Sequence, residues 1–353
     1  MHDTLSVQLE KVKEHEPLAP HTTFKIGGPA RYFFVARSTE DMTRAIRAAA
    51  ECGIPFFVLA GGSNILVADK GFNGLVISNE IQEFRAEVRL GRALVTVGAG
   101  ESWDDIVERC VSKDWAGIEC LSGIPGKVGS APVQNIGAYG QSVSTVVSSV
   151  EAIDCTDGSL RVFNNAQCEF GYRTSLFKKS QGRYSITRVT FALTPHGRPP
   201  LTYHDLKEYF SGKSPSLLEV RSAVIEIRAK KGYVIMPEYE CYKTAGSFFL
   251  NPVITGEQFR KIKDTVHGCA DPWYWELPNG NVKVSAACLL QSAGFSKGYR
   301  TGEVGISPKH SLSIVNFGNA KAQEIVALAN EIKARVKEKF NVALEEEVQF
   351  IGF

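Results

Sequence analysis

Two glycine-rich stretches and three isolated polar residues carry the chemistry this sequence could perform. The first stretch, Gly61-Gly62-Ser63-Asn64, follows the apolar run Ile54–Ala60. A glycine turn after a buried strand can aim successive backbone N–H groups at a phosphate; the same four residues also suit a tight strand connection. The second stretch, Leu121–Gly140, holds five glycines, two prolines and one charge, Lys127. Loops that face water usually carry charge. One this poor in charge lets backbone approach something flat and partly apolar, and its prolines limit the ordering cost. Arg173 closes the motif Phe170-Gly171-Tyr172-Arg173. Its guanidinium stays charged at any working pH and can pair with a carboxylate; a surface cation–π pair with Tyr172 is the plainer alternative. Ser247, in Ala245-Gly246-Ser247-Phe248-Phe249, reads by itself as a turn serine capping its own backbone. Glu347 lies in a run of three glutamates, ordinarily a solvated face. The flanking Leu344, Val348 and Phe350 suggest instead a strand whose alternate side chains turn inward.

Several classes of function are excluded on composition and motif. The chain has 353 residues, 44% of them hydrophobic, and a net charge of +2. That length predicts two or three domains, and the charge gives no footprint for nucleic acid. No apolar run is long enough to span a bilayer, and the polar opening MHDTLSVQLEKVKEHEP has no signal-peptide core. GxGxxG is absent, and Gly126-Lys127-Val128 lacks the Ser or Thr of a P-loop. There is no GxSxG elbow. The eight cysteines form no CxxC pair, so free thiols are expected rather than a disulfide framework, and no metal site is expected.

The elements that must hold these residues are legible from periodicity. Arg31–Ala36 reads as a strand. Ser38 opens a helix with Met42, Ala45, Ile46 and Ala49 inward, ended by Gly53, and Ile54–Ala60 reads as a buried strand. Strands dominate from Gly74 to Ala192. One helix interrupts them, with Trp103, Ile106, Val107, Cys110 and Val111 on one face. A linker-like stretch, Thr194–Asp205, holds three prolines and a glycine. Helices follow over about 215–231, with Leu217, Val220, Val224 and Ile227 inward, and over about 320–340, with Ile325, Leu328, Ile332 and Val336 inward. The tail reads as a short strand returning to a core.

From about Thr22 to Gly352 these segments resemble the UDP-N-acetylenolpyruvoylglucosamine reductase family, flavoenzymes of bacterial cell-wall precursor synthesis, and in particular its type I members. The resemblance implies an α+β fold: a two-subdomain FAD-binding fold of the vanillyl-alcohol-oxidase type plus a C-terminal αβ substrate-binding domain. It places the first FAD subdomain at 1–70, with the tail 343–353 returning to it, the second at 71–213 and the substrate domain at 214–342. It implies FAD contacts from Gly61, Gly62, Ser63, Asn64 and Ile65 at the pyrophosphate. From the loop it implies Ser122, Gly123, Ile124, Pro125, Gly126, Gly129, Ser130, Asn135, Gly137, Ala138 and Tyr139. No histidine lies in or beside either stretch and the nearest cysteine is Cys120, so the flavin is expected to be noncovalent.

For the reaction, the resemblance implies hydride passing from NADPH to FAD and then to the vinyl carbon of UDP-N-acetylglucosamine enolpyruvate. Arg173 would face the substrate carboxylate, Ser247 would protonate the adjacent carbon, and Glu347, with a raised pKa, would polarise the carboxylate opposite Arg173. Tyr172, Tyr203, Asn251, Lys283 and His310 fall at substrate-binding positions, Tyr203 on a covering loop. Two departures stand out. Glu346 replaces the proline of the family's LEPEV, and a diphosphate-binding lysine expected near Tyr233–Pro237 is missing, with Lys230, Lys231 or Lys243 as substitutes. Trp273, Tyr274 and Trp275 could stack on uracil or fill a core. The protein is expected to be a cytoplasmic monomer.

Overall fold

The structure is a computed structural model that describes residues 5, 9–234, 243–267, 269 and 272–353. The chain divides into two compact units. The first comprises residues 1–16, 30–61 and 73–229; the second comprises 17–29, 62–72 and 230–353. Mixed strand and helix content gives the α+β class expected from the sequence.

In the first unit one sheet runs in the order Lys13–Pro17, Pro29–Ala36, Phe72–Asn79, Phe56–Leu59, the last two parallel. The helix Thr39–Glu51 covers it through Met42, Ala45, Ile46, Ala48 and Ala49, all buried. The Ser38 hydroxyl accepts from the Asp41 N–H, the expected N-cap, and Gly53, at φ +63°, lies just past the helix end. One expectation is corrected here. Phe56, Phe57 and Val58 are only half-buried, because their strand lies at the end of the sheet order and not inside it. The second sheet is antiparallel, in the order Ser159–Asn164, Val147–Asp154, Tyr184–Pro195, Arg92–Gly98, Phe84–Arg89. Against it packs the helix Trp103–Ser112, with all five expected inward residues buried. The Trp103 indole N–H donates to the Leu121 carbonyl at 3.0 Å, so this helix helps fix the start of the glycine-rich loop.

In the second unit the helix Ala322–Phe340 buries Ile325, Leu328, Ile332 and Val336 as expected. It shares a core with Phe24, Leu66, Phe248, Phe249 and Phe295. Asp69 caps this helix, accepting from the N–H groups of Ala322 and Gln323 at 2.8 and 3.1 Å. The tail strand Gln349–Ile351 pairs in parallel with Ile65–Val67. It is shorter than expected: Glu347 lies in a bend just before it, and Phe350 is exposed, not inward.

Among the described residues seven cysteines are free thiols; Cys241 lies outside them. Burial pushes the Cys110 and Cys168 thiols up to about 12. No helix of the described residues is long and apolar enough to cross a membrane.

One buried ion pair braces the first unit. Arg221, on the helix Leu217–Lys230, donates twice to Asp104, at 2.7 and 2.8 Å. Burial alone would raise Asp104. The guanidinium and the Gly123 N–H, 2.5 Å from Oδ1, outweigh it and hold the carboxyl below its usual range. Removing one partner leaves the other charge buried and unmatched. Arg221→Ala is therefore expected to cost about 3–5 kcal/mol, read as a lowered urea midpoint; a midpoint within error of the parent would show that the pair does not brace the fold.

Candidate active site

The first unit carries the loop 121–140 and two neighbours that the sequence singled out. The loop is tied down at nearly every turn. Gly123 donates to Asp104 and accepts from Arg228 Nε at 3.2 Å. The Gly126 carbonyl accepts from the Trp103 N–H, and the Val128 and Gly129 N–H groups donate to Glu101 and Ala99. The loop's one charge, Lys127, is satisfied inside the protein, paired with Glu80 and donating to the Asn79 carbonyl. Its serine hydroxyls are engaged too: Ser122 donates to the Glu119 carbonyl and Ser130 to the Lys127 carbonyl. What the loop has left to offer is neutral backbone with small or apolar side chains such as Ile124 and Ala138. That donor set suits a flat neutral ring and a phosphate held by peptide N–H groups, and so fits a flavin nucleotide.

Gly61 shows why the two glycine stretches belong together. A Cβ there would lie 2.6 Å from the Cα of Gly126, so the turn and the loop pack backbone on backbone. Gly62, at φ +61°, could carry no Cβ without striking the His21 carbonyl. Part of what these glycines make room for is the chain itself.

Arg173 sits on a tight turn in which Gly171 and Thr174 exchange backbone hydrogen bonds. It has φ +53°. Its Nη2 donates to the Gly137 carbonyl at 3.0 Å, and Asn135 Nδ2 donates to the Gly171 carbonyl at 2.7 Å. Two expected loop residues thus anchor the arginine turn. Tyr172 is exposed, with the guanidinium carbon 5.9 Å from its ring centre. Tyr203 precedes the helix His204–Phe210 and packs edge-on against Tyr139 at 5.4 Å. Burial, then the Asp205 charge, raises its hydroxyl pKa.

The second unit gathers the acid candidates around the Phe248 peptide. The Phe248 N–H donates to the Leu312 carbonyl, and its carbonyl accepts from the Glu347 N–H, both at 2.8 Å. Ser247 and Glu347 therefore lie on neighbouring backbone segments, and His310 stands two residues from Leu312. The Tyr233 hydroxyl lies 3.2 Å from Ser247 Oγ and 2.6 Å from His310 Nδ1. The Leu312 N–H also donates to that nitrogen, at 3.1 Å. Burial, then the charges of Lys231 and Lys297, pushes His310 down to about 4.

Asn64, expected at the cofactor, donates its amide to the Glu347 carbonyl at 3.0 Å and accepts from the Gln349 N–H. Ile65 is buried in the strand beside it. Asn251 accepts from the Ala286 N–H, and Lys283 lies 5.0 Å over Trp275. The three aromatics divide. Trp273 and Tyr274 pack against Phe259 in the core, while Trp275 is exposed. Lys243 is exposed and donates to the Gly318 carbonyl. Of the stretch that departs from the family's lysine motif, Ile235–Pro237 lie outside the described residues.

Three residues escaped the sequence reading. Tyr233 reaches both Ser247 and His310 across sequence gaps that no periodicity reports. Asp104 finds its partner Arg221 117 positions away, beyond the reach of helix periodicity. Glu119, fully buried, accepts from the Gly117 N–H and the Gln141 amide, each at 2.7 Å, and burial raises its pKa. Among the described residues no cluster of His, Cys, Asp or Glu could hold a metal.

Fold and donor set define an FAD-dependent oxidoreductase, and comparison with known proteins agrees. Residues 30–164 match the family model described as FAD binding domain, and 237–351 match UDP-N-acetylenolpyruvoylglucosamine reductase, C-terminal domain. The reductase of that name from Streptomyces coelicolor is 40% identical, covering 99% of this chain and 94% of the relative. The one from Thermobifida fusca is 40% identical over 95% and 97%. The crystal structure of the Thermus caldophilus enzyme aligns with a TM-score of 0.64 at 27% identity, covering 97% and 98%. The chain belongs to the UDP-N-acetylenolpyruvoylglucosamine reductase family, and its cofactor is FAD.

The His310 shift sets a measurable expectation. Its folded-state pKa lies below the free value of 6.5, so the neutral ring contributes stability in full above about pH 6.5. That contribution is lost as pH falls toward about 4. In ring-proton NMR the His310 resonance should titrate near 4; a midpoint near 6.5 would show that the ring is not held neutral by burial.

Proposed function

We propose that this chain reduces UDP-N-acetylglucosamine enolpyruvate to UDP-N-acetylmuramate with NADPH, in the cytoplasm and as a monomer. The reading extends to three parts, FAD subdomains at 1–70 (with 343–353) and 71–213 and a substrate domain at 214–342. When bound, FAD supplies a two-electron carrier that takes hydride from NADPH and delivers it to the vinyl carbon. The residues of the chain do the rest. Backbone of the 61–65 turn and the 122–139 loop holds the cofactor without a covalent bond. Cys120, the nearest cysteine, is fully buried and its thiol pKa is raised by that burial, which leaves little thiolate for attachment.

Arg173 pairs with the substrate carboxylate and stabilises the charge that grows there as hydride adds. Glu347, holding a proton, polarises the same carboxylate. Ser247 protonates the adjacent carbon. Tyr172, Tyr203, Asn251, Lys283 and His310 complete the substrate contacts. The observation that carries this reading is the Phe248 peptide, whose two hydrogen bonds set the Ser247 and Glu347 backbones side by side.

The test separates the half-reactions anaerobically. NADPH should bleach the flavin band, and the enolpyruvyl substrate should restore it without oxygen. A flavin that stays reduced until air is admitted would point to an oxidase and overturn the reading. Ser247→Ala should leave bleaching near normal and slow the return of the band by about 10²-fold or more; equal loss in both halves would remove Ser247 from its role. Arg173→Ala should also act mainly on the second half, and an unaffected rate there would take Arg173 out of the mechanism.

A further inference from the structure

The turn that carries Arg173 is docked on the stretch 133–137. Ser175 Oγ donates to the Val133 carbonyl at 2.8 Å, and Lys178 Nζ bridges Gln134 Oε1 and the Arg173 carbonyl, 3.1 Å from each. Asn135 holds Gly171. These contacts fix the backbone of the turn. The guanidinium is held at the end of the row, by the Gly137 carbonyl. Gly137 belongs to a short antiparallel ladder in which it pairs with Ser142, and Ala138 with Gln141. The aim of the arginine therefore depends on where that ladder lies.

Two buried side chains set its place. Glu119 is fully buried, and Gln141 is buried too. The Cys120 N–H donates to Gln141 Oε1 at 2.8 Å, so the oxygen of that amide is fixed and its NH2 faces Glu119, donating to Oε1 at 2.7 Å. The other Glu119 oxygen accepts from the Gly117 N–H. The clamp ties 117–120 to 141 and so closes the glycine-rich loop at its two ends. Neither side chain is among those read as touching cofactor or substrate.

We propose that Glu119, through Gln141, is a positioning residue for Arg173: the clamp seats the ladder whose Gly137 carbonyl aims the guanidinium at the substrate carboxylate. This rests on the role read for Arg173 above. Such a bond matters because a group misplaced by about 1 Å can cost about 10²-fold in rate.

The experiment exchanges the two side-chain types. Glu119→Gln sets an NH2 against either the Gly117 N–H or the Gln141 NH2, donor against donor in a buried place. The variant should keep its flavin and bleach with NADPH near the wild-type rate, because Asp104, Arg228 and Trp103 pin residues 123–126 independently. Its anaerobic reoxidation by the enolpyruvyl substrate should slow by about 10-fold or more. Combining Glu119→Gln with Gln141→Glu lets the new amide donate to the new carboxylate and restores every bond of the clamp. Reoxidation should then return to near the wild-type rate, and this pair decides the matter if the single variant does not fold. In an Arg173→Ala background, Glu119→Gln should add no further slowing. The clamp is overturned by wild-type reoxidation in Glu119→Gln, by loss of flavin or equal slowing of both half-reactions, by additive slowing with Arg173→Ala, or by a paired exchange that restores nothing. If Arg173→Ala alone is slow in any of those cases, the arginine keeps its role without the clamp. Arg173→Ala at the wild-type rate removes both.

Discussion

The acid candidates of the second unit hang on one peptide group. Phe248 gives its N–H to Leu312 and takes the Glu347 N–H on its carbonyl, and its own ring is fully buried. One residue thereby sets three segments at fixed spacing: the serine turn, the His310–Leu312 loop and the tail. The turn before it is held the same way, the Thr244 hydroxyl accepting from Gly246 and donating to Ile314. Because the frame is main chain, the side chains at 247 and 347 can be changed without removing the two bonds that set their segments side by side. Asn64 adds a side chain to the frame, reaching across 283 positions to the Glu347 carbonyl.

The first unit solves the same problem with charge. Its loop has little side-chain chemistry of its own, so it is pinned from outside by Asp104, Arg221 and Arg228 at Gly123 and by Glu80 at Lys127. These ionised groups are spent on peptide and partner. They leave a neutral surface, which is what a ring system without charge requires. Exposed ion pairs would add little here. Asp104 and Arg221 matter because both are largely buried and each has its full set of partners.

What the sequence made legible follows from the range of the interaction. Helices were readable because their inward residues recur every three or four positions, and Trp103 to Val111 and Ile325 to Val336 are all buried as that spacing demands. The strand Ile54–Ala60 misled in one respect: an apolar run reports strand type, and its place in the sheet decides how much of it is covered. Glu347 misled in another. Buried Leu344 and Val348 flank it, yet the backbone bends between them, and alternation assumes a straight strand. The buried Glu119 and the Tyr233 contacts were invisible because polar burial depends on partners such as Gln141, His310 and Ser247, 14 to 77 positions away.

The glycines carry the most general point. Their abundance at 121–140 reads as room for close approach, and at 61–62 as backbone aimed at a phosphate or a tight connection; the first thing that approaches is protein. Gly61 meets Gly126, and Gly62 meets His21. A loop that presents bare backbone to a cofactor has few side chains of its own to hold it, here chiefly Lys127 and Asn135. The rest of its support comes from other backbone packed directly on it and from charged groups outside it. On that argument an alanine at 61 would act on the cofactor site through the frame, by prising the turn from the loop, whether or not Gly61 itself touches the flavin.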